Sequence, residues 1–60
     1  MHEIFIEELK VNNTMWLKKF GVEMVVSEIT KLPSKSYEVT FESGDAIIIK
    51  PRTKIEVNVE

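Results

Sequence analysis

The groups in this chain able to do acid–base, nucleophilic or metal chemistry are few: one histidine, ten carboxylates, four serines and no cysteine. His2 stands beside Glu3, with Glu7 five positions on. A metal site built there would need further ligands that the sequence does not place, and an exposed imidazole near the chain start is the simpler reading. Glu7 and Glu8 are adjacent, so on an extended strand their carboxylates point to opposite faces and cannot act as an acid–base pair. Asp45 falls in a turn, where Asp serves the backbone. None of Ser27, Ser34, Ser36 or Ser43 lies in a nucleophile-elbow sequence. The two glycines, Gly21 and Gly44, lie too far apart to build a phosphate-cradling loop. No catalytic constellation, cofactor loop or metal cluster is therefore expected, and the chain does not read as an enzyme.

Binding is the other chemistry available. Lys50, Arg52 and Lys54 recur at every second position and would share a strand face if the backbone stays extended through Pro51, giving a row of phosphate contacts. Tyr37 or Trp16, if exposed nearby, would supply the stacking surface that single-stranded nucleic acid prefers, although both read as core residues. Glu56 and Glu60 continue the same face, and the net charge of −2 gives no general attraction to phosphate. Asn12-Asn13-Thr14 fits the N-glycosylation pattern, which matters only in a secreted chain. No basic leader with a small-residue cleavage site opens the sequence, and its longest uninterrupted apolar run is Ala46 to Ile49. A cytosolic protein with no membrane contact is the expectation.

These groups must be positioned by a fold, and its clearest element is Ser36 to Lys50. Tyr37, Val39 and Phe41 alternate with Glu38, Thr40 and Glu42; Glu42-Ser43-Gly44-Asp45 follows, and then Ala46-Ile47-Ile48-Ile49. Two strands around a three-residue loop, with Gly44 left-handed in a G1 bulge, pair Phe41 with Asp45, Val39 with Ile47 and Tyr37 with Ile49. That register gathers five large apolar side chains on one face and leaves Ile48 on the other, beside Glu38 and Thr40. Ile48 is then either covered from the second side or part of a contact surface.

Elsewhere, Glu3 to Val11 predicts a strand that ends at Asn12-Asn13. Met15 to Phe20 predicts a short helix, near residues 14–20, because Trp16 and Phe20 are four apart and Lys18 and Lys19 point away; Gly21 would end it. Val22 to Thr30 predicts a strand whose inward face changes between Val26 and Ile29, which requires a bulge near Val26-Ser27. Lys31 to Lys35 is a loop around Pro33. Pro51 ends a strand, and Ile55, Val57 and Val59 predict a last one. The expected fold is mainly β: residues 1–60 as one small domain of four to five antiparallel strands in a meander, with one short helix. Such a sheet stays open under the helix or curls into a small SH3-like barrel.

At 60 residues the chain buries only about 60% of the surface its unfolded form exposes, so a few kcal/mol of net stability is expected. By elimination the function read from the sequence is binding to another macromolecule, most simply a protein, in a regulatory or inhibitory role, or self-association as a homodimer. The contact residues expected are Ile48, Glu38 and Thr40, with Lys18 and Lys19 of the helix second. A nucleic-acid-binding β module using Lys50, Arg52 and Lys54 is the alternative.

Overall fold

The longest strand decides the architecture. Val22–Lys31 (β3) runs ten residues and is interrupted once, where Val26 pairs with Phe41 and Glu28 with Thr40, leaving Ser27 as the extra residue of a bulge. The expected change of face is therefore real: Met24 and Val26 point inward before the bulge, and Ile29 after it. The Ser27 hydroxyl donates to the Thr40 carbonyl at 3.1 Å across the bulge. A bulge bends its strand and sharpens the local twist, so β3 serves two halves of the sheet whose inward side chains share one core.

A computed structural model describes residues 2–58. Among them are His2–Phe5 (β1), Thr14–Leu17 (β2), β3, Tyr37–Phe41 (β4), Ala46–Ile49 (β5) and Lys54–Asn58 (β6). All pairings are antiparallel and the sheet order is β1-β6-β2-β3-β4-β5. β2 to β5 form the expected meander, whereas β6 returns to insert between β1 and β2. The fold is mainly β, with six strands where four to five were expected. The sheet is open: β1 and β5 are its two edges, and they do not pair with each other. No helix among the described residues is long and apolar enough to cross a membrane.

The predicted helix near residues 14–20 is absent. Thr14–Leu17 is instead a central strand whose two edges are satisfied by β3 and β6. Two turns of helix could not hold themselves together in water, and the extended form sends Met15 and Leu17 to the core side by side with Met24 and Val57. What remains of the helical signal is one turn. The Leu17 carbonyl accepts from Phe20 N at 3.0 Å and from Gly21 N at 2.8 Å, and Gly21 takes the left-handed φ of +65° expected of a helix-ending glycine. That turn is the β2–β3 loop.

The first strand is shorter than expected. It ends at Phe5, and Ile6–Glu8 forms a single 3₁₀ turn. The reason is packing: Ile6 and Leu9 are both buried, and residues three apart reach one side only when the backbone turns. The Glu8 carboxylate closes the turn by accepting from Phe5 N at 3.1 Å.

The central hairpin follows the expected register. Tyr37 pairs with Ile49, Glu38 with Ile48 and Val39 with Ile47. Phe41 N donates to the Asp45 carbonyl at 2.8 Å and Gly44 N to the Phe41 carbonyl at 2.9 Å, the bonds of a three-residue loop with a bulge. Gly44 sits at φ +94°, and a Cβ there would meet no atom within 4 Å. Gly44→Ala is therefore opposed by backbone conformation alone, and should lower stability by about 1–2 kcal/mol. Urea melts of the two forms check this: an unchanged midpoint would remove the left-handed requirement.

Among the described residues the core is one cluster of nine, centred on Val26, Val39, Phe41 and Val57, which are at most 1% exposed. Its members come from every strand except β1, and Ile6 and Leu9 of the turn after β1 close one end. Ile55 and Val57 point inward on β6 as expected; Val59 and Glu60 lie outside the described residues.

Candidate partner-binding surface

The carboxylates singled out for chemistry, Glu3, Glu7, Glu8 and Asp45, are engaged with the backbone or with neighbouring side chains. Both Glu7 carboxylate oxygens accept from Arg52 N, at 3.2 and 2.9 Å, and so steady Arg52 at its left-handed φ of +60°. Glu8 closes the 3₁₀ turn. Asp45 accepts from the Ser43 hydroxyl at 3.0 Å inside the hairpin loop. His2 is exposed on β1, opposite Val57. Among the described residues no three His, Cys, Asp or Glu side chains converge on a metal-sized site.

The basic row does not form. β5 ends at Ile49 and the chain turns through Pro51 and Arg52 before β6 begins, so Lys50, Arg52 and Lys54 do not lie along one extended strand. Lys54 lies opposite Phe5, with its Nζ 5.7 Å from the ring centre and 3.8 Å from Glu3 Oε1. Both partners of that ion pair are about 60% exposed, so water screens it and it contributes little. Trp16 is not a core residue. It lies half-buried on the outer face between its cross-strand neighbours Glu23 and Glu56, and Glu56 in turn faces Glu3. This puts two carboxylates directly beside the indole and a third one strand further on, a poor approach for a nucleic-acid backbone. Tyr37 is half-buried, with Lys31 Nζ 5.9 Å from its ring.

Ile48 is where the hairpin register puts it. It is 61% exposed on β5, with Glu38 opposite, and Thr40 faces Ala46 two pairs away on the same face. Because β5 is an edge, its backbone matters too. Bonded and non-bonded pairs alternate along an antiparallel ladder. Phe41 bonds to Asp45, so Val39–Ile47 and Tyr37–Ile49 are the bonded pairs, and the N–H and C=O groups of Ala46 and Ile48 point away from β4. No bond from another backbone group of the described residues reaches them. Such a row is a template for an added strand.

Next to this edge lie two shallow clefts, of about 470 and 450 Å³, that share Leu17, Phe20 and Ile47. The first runs between β5 and the β2–β6 pair and carries Lys18, Lys19 and Lys54 on its rim, with Glu3 and Glu56. The second opens toward Val22, Met24 and Phe41. Phe20 stands between them at 64% exposure, with Val22 at 43%. Lys18 and Lys19 lie in the β2–β3 loop rather than on a helix; both are exposed, and Lys19 Nζ is 5.8 Å from the Phe20 ring.

The expected contact residues thus fall in two groups. Ile48, Glu38 and Thr40 share the outer face at the β5 edge, and Lys18 and Lys19 border the cleft on that edge's inner side. Phe20 reads from the sequence as the packing face of a helix, but it is exposed; Leu17 and Ile47 pack against the core and also wall the clefts. The sign pointing the other way was local: Phe20 follows two lysines and precedes a glycine, the composition of a loop. In comparisons with protein-family models, curated proteins and solved structures, the chain matches none of them.

Proposed function

We propose that the chain is a non-enzymatic binding module for another protein, a small cytosolic SH3-like domain whose unclosed seam beside β5 receives the partner. The observation that supports this most is Phe20, an aromatic residue 64% exposed between two apolar clefts that also share Leu17 and Ile47. Fully burying such a side chain is worth roughly 1.5–3 kcal/mol, which a domain with a few kcal/mol of net stability forgoes when the ring stays in water. Ile48, at 61% exposure, lies on the outer face of the adjacent edge strand. A partner that covers both residues recovers that energy.

The test places a photo-crosslinking amino acid at position 20 or 48, and at Lys35 as an exposed control on the β3–β4 loop. In extract from the native host, discrete protein adducts are expected from positions 20 and 48 and not from 35. Equal labelling at all three positions, or adducts formed with nucleic acid, would defeat the reading.

A further inference from the structure

We infer that the occupant of the seam is an extended, acidic segment of a partner protein: it adds as a strand to β5, seats an apolar side chain beside Phe20, and meets Lys18 and Lys19 with a carboxylate. This rests on the binding-module reading above and specifies its partner.

Three features converge on that occupant. The outward N–H and C=O groups of Ala46 and Ile48 require an extended backbone, because only a strand offers donors and acceptors at the matching two-residue interval. Alternate residues of an added strand project on the side of Ile47, and Ile47 lines both clefts, so those residues enter the space between Ile47, Leu17 and Phe20. Charge then sets the partner's sign. On the rim of the larger cleft, Glu3 is answered by Lys54 at 3.8 Å, while Lys18 and Lys19 make no ion pair with any described residue. The remaining rim carboxylate, Glu56, is half-buried beside Trp16 on the outer face. The positive groups left free at the mouth are thus the two loop lysines, and a carboxylate beside the inserted apolar residue complements them.

A symmetric pairing of two copies through β5 fits this seam less well. The exposed strand at that edge, Ala46–Ile49, carries no acidic residue, and Asp45, immediately before it, is held by Ser43.

The experiment selects binders from a display library of random short peptides, using the whole chain as bait. Enrichment of Asp or Glu next to an aliphatic or aromatic residue is expected. The strongest peptide is then titrated into ¹⁵N-labelled protein, where the amides of Ala46, Ile48 and the 17–20 turn should shift. Two variants test the two halves of the claim. Lys18→Glu with Lys19→Glu, both exposed and outside the core, should weaken binding roughly tenfold or more at low salt, and the loss should shrink as salt screens it. Ile48→Pro removes an outward N–H that β4 does not use, a change edge strands accept, and should abolish the peptide-induced shift at Ala46 while the spectrum stays dispersed.

Should Ile48→Pro lose its dispersion, N-methylation of alternate peptide amides replaces it, with the same loss of binding expected. Selected peptides without acidic residues, or unaffected by the lysine reversals, overturn the acidic partner but leave a binding module standing. No selection above background, or concentration-dependent shifts at Ala46 and Ile48 without peptide, overturns both the acidic partner and the foreign-protein reading.

Discussion

Replacing Phe41 by alanine is expected to leave the chain unfolded at room temperature. Phe41 is 1% exposed and packs where β3, β4 and the hairpin loop meet: it pairs with Val26 across the ladder and is tied through its backbone to Asp45 and Gly44. Deleting a buried phenyl ring costs about 3–5 kcal/mol, from lost transfer energy and from the cavity left behind. That equals or exceeds the few kcal/mol available to a domain of this size, and no disulfide is present to offset it. Far-UV circular dichroism and amide dispersion are the readouts. A variant that still melts cooperatively, within a few degrees of the parent, would mean that the core does not depend on this ring.

The second large effect is a contrast between neighbours. Ile49→Asp should unfold the chain, whereas Ile48→Asp should leave its melting temperature within a few degrees of the parent. The two side chains are adjacent in sequence and lie on opposite faces of β5, one 8% and the other 61% exposed. A carboxylate at position 49 has either to be buried without a partner or to take up a proton, at a cost of several kcal/mol. The same group at position 48 stays in water, opposite Glu38, where screened repulsion is a fraction of a kcal/mol. Thermal melts of both variants decide it, and similar melting points would mean that the register of the hairpin is shifted.

The hairpin and the bulge were legible in the sequence because both are recorded locally. Tyr37, Val39, Phe41, Ile47 and Ile49 fall on one face only in the bulged register, and Val26 and Ile29 cannot share a face without an extra residue between them. The segment from Thr14 to Gly21 was not legible in the same way. Its four-residue spacing of aromatics is a true helical signal, but it amounts to one turn, and the residues before that turn are claimed by β6. A strand made from the far end of the chain is invisible to any local pattern, and tertiary pairing overrides weak propensity. The shortening of β1 has the same origin: where the strand ends, Ile6 N donates to the Thr53 carbonyl at 2.8 Å, a partner from the far part of the sequence.

The candidate surface was half legible. Ile48 followed from parity alone. The cleft did not, because Leu17 and Ile47 are core by type, and become cleft walls only because the sheet stays open beside β5. The basic row at Lys50, Arg52 and Lys54 was lost to one backbone turn: Arg52 adopts a positive φ, anchored by Glu7 from the other end of the sequence. Two-residue spacing identifies a face only while the chain remains a strand.

The position of β6 between β1 and β2 has a kinetic consequence. Each of the junctions β2–β3, β3–β4 and β4–β5 closes over a short loop, so those hairpins can zip up early and at little entropic cost. β1 pairs with β6 and with no other strand. It has nothing to join until residues 54–58 have threaded into place, so β1 is among the last stretches to become ordered.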